Sequence, residues 1–308
     1  MITIYKKQEN GLIKVDAPIT GTWVNVIDPT PDEMRSLQDM GIPLDYLIYS
    51  LDVDERPRSE RNGELLVLLR IPCYQGPNVD IPYTTITQGI IINDDFVITV
   101  CKQENDIIQE FASGRVRGLA PAKHNRFLLQ ILLSTANKYL SYLRQITRAV
   151  DALEDQLQKS TRNREVLELL KYQKSLTIFT TALKSNELML KRLQASQIFK
   201  AYEADEDLLE DVLTEMQQAI EMTNIESNIL SSMMDAFASI ISNNLNGIMK
   251  FLASMTIIVS LPSTIASFFG MNVDVPLDQS SSAFPLIIVL AIAVSLAVAA
   301  FFWRQDWL

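Results

Sequence analysis

Six small or polar residues recur through one apolar stretch near the end of the chain: Asn246, Ala253, Thr256, Ser260, Thr264 and Ser267. Their spacings of 7, 3, 4, 4 and 3 put them on one face of an α-helix. Asp235 lies 11 residues before Asn246, about three turns, on nearly the same face. Hydroxyl, amide and carboxylate oxygens bind hard cations and water, and hydrocarbon satisfies none of them. Such a face is either a small-residue seam for a neighbouring helix or the wall of a wet path. The stretch ends at Gly270-Met271-Asn272. Gly270 can stop the helix. Asn272 then presents a neutral carbonyl oxygen. Repeated around an axis, it becomes a ring of acceptors that binds the hydration shell of a small hard ion such as magnesium without stripping it.

Other chemistry is poorly provided for. One histidine, His124, and two separated cysteines, Cys73 and Cys101, exclude most zinc, copper and iron centres. His124 reads as a surface or capping residue, and the cysteines fit a reducing cytoplasm. No GxxxxGK[ST] segment is present, so ATP coupling has no support. No nucleophile–base set stands out, and an enzyme is not expected.

The polar stripe needs a membrane around it. Residues 248–269 are apolar apart from Lys250 and a few Ser/Thr, and residues 284–303 are uncharged throughout. Each is about 20 residues, or roughly 30 Å of helix, enough to cross a hydrocarbon core. Lys250 precedes the first span and Arg304 follows the second, whereas loop 270–283 has Asp274 and Asp278 and no Lys or Arg. The positive-inside rule puts both ends in the cytoplasm and the loop outside. The first residues lack the apolar core of a signal peptide. The second span carries only Ser295 as a polar residue and reads as the outer, lipid-facing helix.

Residues 1–120 read as a mixed α/β domain. Segments 65–71, 85–92 and 96–100 are short, β-branched and bounded by turn formers. Residues 31–40 read as a short helix. From residue 122 to 246 there is no Pro or Gly, and apolar residues recur at helical spacing. Helices are expected over about 122–159, 164–200 and 205–269, with turns at 161–163 and 201–204. The third runs on into the membrane. The domains are thus 1–120, a stalk of long cytoplasmic helices at 121–247, and a transmembrane hairpin with a short tail at 248–308.

Charge is segregated along these helices. The formal net charge is −10, and residues 201–249 hold 10 acids with no Lys or Arg, whereas residues 123–200 hold 14 Lys/Arg and 6 acids. The ordinary reading is mutual neutralisation or solvation. A sharper one is that the third helix borders a cation path or senses cations. Nucleic acid is excluded as a partner for so acidic a chain.

Ser267-Phe268-Phe269-Gly270-Met271-Asn272-Val273, following a Pro262-containing span and followed by a second span and a tail ending Trp307-Leu308, resembles the CorA family of magnesium and cobalt transport proteins. Segments 51–60, 65–72 and 89–101 also look like that family's cytoplasmic domain. The resemblance covers essentially the whole chain. It implies a funnel-shaped homopentamer in the cell membrane that takes up Mg2+, with Co2+ as a second ion. It implies an outer selectivity ring at Asn272 within Gly270-Met271-Asn272. It also implies pore positions at Asp235, Asn246 and Thr264, a hydrophobic constriction including Leu252, and a regulatory Mg2+ carboxylate at Asp211 on a subunit interface. Two departures stand out. The outer loop reads Val273-Asp274-Val275-Pro276-Leu277-Asp278 where the family often has Met-Pro-Glu-Leu, and the tail is less basic than is usual. Two rivals remain open at this point: the same architecture carrying Co2+, Ni2+ or Zn2+, and a membrane-anchored coiled-coil scaffold without transport.

Overall fold

The computed structural model describes residues 1–8, 11–159, 163–196, 199, 203–271 and 283–307. Asn272, Asp274 and Asp278 lie outside the described residues, as do residues 161–162 and 201–202 of the expected turns. The chain divides into two compact units, Met1–Met233 and Met234–Leu308.

The first unit is built on a seven-stranded sheet. Its strands are β1 (Ile2–Gln8), β2 (Gly11–Val15), β3 (Thr22–Ile27), β4 (Arg58–Asn62), β5 (Glu64–Tyr74), β6 (Tyr83–Ile92) and β7 (Phe96–Cys101). Their order is β2-β1-β3-β7-β6-β5-β4, and only the β3–β7 pair is parallel. The three expected strands are β5, β6 and β7. Their apolar runs are continuous rather than alternating because both faces of the sheet are covered. On one face α1 (Pro31–Asp39) and α2 (Leu44–Leu51) seal a core containing Leu37, Leu47, Leu66, Leu68, Ile98 and Val100. Thr30 caps α1 with a reciprocal Thr30–Glu33 capping box. On the other face Trp23 packs against Phe111 of α3 (Asp106–Ala112) and Phe127 of α4 (His124–Lys159). Tyr139 of α4 meets Phe179 of α5 (Asn163–Ala195) edge to face, with ring centroids 4.9 Å apart.

The long helices follow from the Gly- and Pro-free sequence. α4 and α6 (Glu203–Phe269) match the expected spans closely. α5 stops at Ala195 rather than 200: Ser196 donates back to the Arg192 and Leu193 carbonyls in a closing turn. Within the first unit α6 buries Asp205, Leu209, Val212, Met216, Ala219, Thr223, Glu226 and Leu230. These repeat at spacings of three and four, the seam of a helix packed along its length. Glu226 is held there by Thr147 of α4, whose hydroxyl donates to it at 2.8 Å.

The second unit consists of the remainder of α6 and α7 (Ala283–Arg304). Both are long and apolar enough to cross a membrane. α7 ends in a tight turn in which the Trp307 amide donates to the Phe302 carbonyl and the two rings stack at 5.4 Å. Lys250 lies 6.0 Å from the Trp307 ring centroid.

Candidate functional site: the polar face of α6

The six residues of the stripe all fall inside α6, and Pro262 does not interrupt it. Asn246, Ala253, Thr256, Ser260, Thr264 and Ser267 are all exposed, as are Asp235 and Leu252. The covered side lies elsewhere. Ser254 is completely buried, and Ile258, Leu261, Ile265 and Phe269 are partly so. That row runs at spacings of 4, 3, 4 and 4, about 140° round the helix from the polar stripe. On α7 the less exposed row is Ile287, Ala291, Val294, Ser295, Val298 and Phe302. The covered seam of α6 is therefore the Ser254 row, mostly Ile, Leu and Phe, and the stripe is left free of it.

Hydrogen bonding gives the stripe a definite chemical polarity. Thr256 donates to the Leu252 carbonyl at 2.8 Å, Ser260 to the Ile257 carbonyl at 3.0 Å and Thr264 to the Ser260 carbonyl at 2.9 Å. These three hydroxyl protons are occupied within the helix, which leaves their oxygen lone pairs as acceptors. At these three positions the face accepts hydrogen bonds from water or meets a cation. On α7 the Ser295 hydroxyl is turned inward and has no partner among the described residues, so the rest of that helix surface is hydrocarbon.

At the C-terminal end of α6, the Gly270 amide donates to the Ala266 and Ser267 carbonyls at 3.0 and 3.2 Å. A Cβ at Gly270 would stand 3.3 Å from the Ala266 carbonyl oxygen, tighter than ordinary contact. This closes the helix at Phe269 as the glycine suggested. Met271 is exposed and is the last described residue before Asn272.

The acidic segment presents two kinds of carboxylate. Asp211 is exposed, whereas Asp205 and Glu226 are buried. Among the described residues no group of three or more His, Cys, Asp or Glu is placed to hold a metal ion. Asp211 thus has no ready-made metal cage among the described residues of its own chain. His124 stands at the start of α4, half-buried, and burial holds its imidazole below the usual histidine range despite Asp94 and Asp95.

With this geometry in place, similarity to known proteins decides the family. The family model described as "CorA-like Mg2+ transporter protein" matches residues 20–304. The chain belongs to the CorA-like Mg2+ transporter family. The cobalt/magnesium transport protein CorA of Methanocaldococcus jannaschii is 28% identical over 93% of this chain and 91% of its own length. The cobalt/magnesium transport protein CorA of Thermotoga maritima is 23% identical over 94% and 84%. The complete structure of the M. jannaschii CorA magnesium transporter covers 100% of this chain and 99% of its own, with a TM-score of 0.86 at 24% identity. The full-length CmaX protein shares the fold at a TM-score of 0.71 and 17% identity, covering 99% of this chain and 96% of its own. The chain is accordingly a CorA-family transport protein with a mixed α/β domain, long helices and two apolar C-terminal helices.

The sequence pointed to the stripe but did not identify the seam. Ser254 is a hydroxyl residue like its neighbours Thr256 and Ser260, yet it is buried and they are not. Its partners Ile258, Leu261 and Ile265 carry no signal that separates a helix-facing residue from a lipid-facing one.

Proposed function

We propose that this chain forms a homopentameric Mg2+ channel in the cell membrane, both termini cytoplasmic, with the polar face of α6 lining the pore. Asp235, Asn246, Ala253, Thr256, Ser260, Thr264 and Ser267 line the path from the cytoplasmic side outward, with Leu252 at a hydrophobic constriction. Gly270, Met271 and Asn272 form the outer selectivity filter, where Asn272 presents its carbonyl oxygen to a hydrated ion.

One observation carries this reading. The stripe is exposed, turned away from the Ser254 seam, and presents hydroxyl oxygens whose protons are occupied by the Leu252, Ile257 and Ser260 carbonyls. Lipid cannot satisfy such a face. The described residues of one chain supply two spans, so copies of the chain must enclose it.

No fuel is required. A divalent ion moving inward through 100 mV gains about 4–5 kcal/mol from the field, so the protein need only select and gate. Cytosolic Mg2+ bound between subunits, with Asp211 as one ligand, relieves repulsion among the acidic helices and favours the closed form. The ion regulates because it binds that form more tightly. Mg2+ is then both cargo and regulator, and Co2+ is a second cargo, as the names of the M. jannaschii and T. maritima relatives suggest.

Ion uptake by Ser260→Leu and Thr264→Leu tests the assignment against Val259→Leu. Loss of flux in the first two, with Val259→Leu retaining it, supports a wet pore. Equal flux in all three leaves a scaffold role for the helix.

A further inference from the structure

At one end of the sheet, four separate parts of the first unit enclose a cavity of about 720 Å³. They are the β4–β5 turn, the β6–β7 turn, the start of α4 and the start of α6. Its charged lining is mixed: Arg61, Lys123 and Arg126 against Glu64, Asp94 and Asp205. Opposite charges sharing a cavity ordinarily pair. Here none of these six side chains makes an ion pair or side-chain hydrogen bond among the described residues.

Asp205 is the telling group. It is only 5% exposed, and among the described residues no donor reaches its carboxylate. Its oxygens are not among the buried polar atoms left without a partner, so they open onto the cavity instead of being sealed in the core. A carboxylate with so little access to water gains from a positive centre placed beside it. Beside it the first turn of α4, a 36-residue helix, leaves backbone amides such as those of His124 and Arg126 without intrahelical acceptors. The cavity therefore asks for two things at once: anionic oxygens for the three basic side chains and the helix start, and a positive centre for the buried carboxylate. A bare anion would leave Asp205 unmet and add repulsion. A bare cation would leave Arg61, Lys123 and Arg126 facing it. The volume falls in the range of sites for small molecules of several rings or groups.

We propose that this cavity binds a magnesium-complexed polyphosphate, with Arg61, Lys123 and Arg126 holding the phosphate oxygens and Asp205 meeting the hydrated cation. Phosphate oxygens accept the forked donors of arginine and the point charge of lysine. Mg2+ keeps several waters when bound to phosphates, and a carboxylate lining the same cavity accepts from them. A nucleoside triphosphate and inorganic tripolyphosphate share this chemistry. Such a site would place a second small-molecule signal on the cytoplasmic unit, independent of the pore reading.

Equilibrium binding to the full chain in detergent micelles tests it, with ATP and tripolyphosphate each measured in Mg2+ and in excess chelator. Saturable binding that needs Mg2+ supports the site. Equal affinity for the two probes assigns it to the polyphosphate, and tighter ATP binding assigns it to a nucleotide. The double variant Lys123→Ala/Arg126→Ala weakens both probes about tenfold or more, and Asp205→Asn removes the advantage conferred by Mg2+. Lys123 is exposed, and elution volume and circular dichroism verify that each variant is folded. No saturable binding to the folded protein, or binding that the Lys123→Ala/Arg126→Ala protein retains in full, overturns the proposal.

Discussion

The side-chain amide of Asn186 and the backbone of Arg70 exchange a reciprocal pair of hydrogen bonds: Arg70 N–H to Asn186 Oδ1 at 2.9 Å, and Asn186 Nδ2 to the Arg70 carbonyl at 2.8 Å. The pair explains how α5 is fixed to the sheet. β4 ends its ladder at Arg58 opposite Leu68, so β5 runs on with an unpaired edge. At Arg70, two residues further, a carboxamide from α5 takes the place of the missing strand. The Tyr139 hydroxyl of α4 donates to the same carbonyl at 3.0 Å. One backbone unit thus ties α4 and α5 to β5.

Asn186 is completely buried, so removing its amide orphans the Arg70 N–H, while the Arg70 carbonyl keeps the Tyr139 hydroxyl. Asn186→Leu is expected to cost about 1–3 kcal/mol, the range for one orphaned group. Chemical denaturation monitored by circular dichroism measures this. A change under about 0.5 kcal/mol, the range of ordinary surface substitutions, would show that water replaces the amide without loss.

Gly89 of β6 lies directly under Ser50 of α2. A Cβ there would stand 1.9 Å from Ser50 Oγ and 2.4 Å from Ser50 Cβ, but 3.4 Å from Ser50 Cα. Gly89→Ala is therefore expected to destabilise the α/β unit by about 1–3 kcal/mol through overpacking. Ser50→Gly in the same chain should recover part of that loss, because it removes both clashing atoms. A double-mutant cycle reads the coupling, and strictly additive effects would contradict the contact.

Asp106 gives a pH dependence with a defined sign. Lys138 donates to it at 2.8 Å and holds its carboxyl below the usual aspartate value of 3.8; burial opposes this, and the Tyr142 hydroxyl at 2.9 Å adds to it. A carboxylate whose folded value lies below its unfolded one adds stability that is present above about pH 4 and lost as the pH falls through the folded value. The thermal stability difference between the parent and Lys138→Met should be full at neutral pH and shrink below about pH 4. A difference that persists undiminished into acid would assign it to lost packing of the lysine stem instead.

Much of this architecture was legible in sequence, for physical reasons. The long helical stretch of α4 and the first part of α6 was visible because no Gly or Pro interrupts residues 122–246, and the end of α6 because Gly270 follows its apolar run. β5–β7 were visible because doubly covered strands are apolar without a break. β4, with the sequence RSERN, was not: it is an exposed edge strand held by its pairing with β5 and has no apolar alternation to betray it. β1 and β2 escaped notice for the same reason, being half-exposed and rich in Lys and Gln. The stripe on α6 was legible from spacing alone, whereas the Ser254 seam was not, since lipid-facing and helix-facing residues are equally apolar. The charged cavity could not be read from sequence because it joins residues as distant as Arg61 and Asp205.

Asp211 lies on α6 24 residues before Asp235, which turns it about 240° from the polar stripe on an ideal helix. It is exposed. If it holds regulatory Mg2+ against a neighbouring subunit, Asp211→Ala should conduct but resist closure, so that inhibition of uptake needs several-fold more internal Mg2+. Unchanged inhibition in that variant would remove Asp211 from the sensor.

The central claim is that copies of the α6 stripe enclose a path for hydrated Mg2+ driven by voltage. Uptake into liposomes carrying the purified protein and an internal Mg2+ indicator, with an imposed potential negative inside, tests it most directly. The account predicts entry that accelerates with the potential and is abolished by Asn272→Ala in a protein that still assembles. Flux indifferent to the potential, or undiminished in Asn272→Ala, would contradict it.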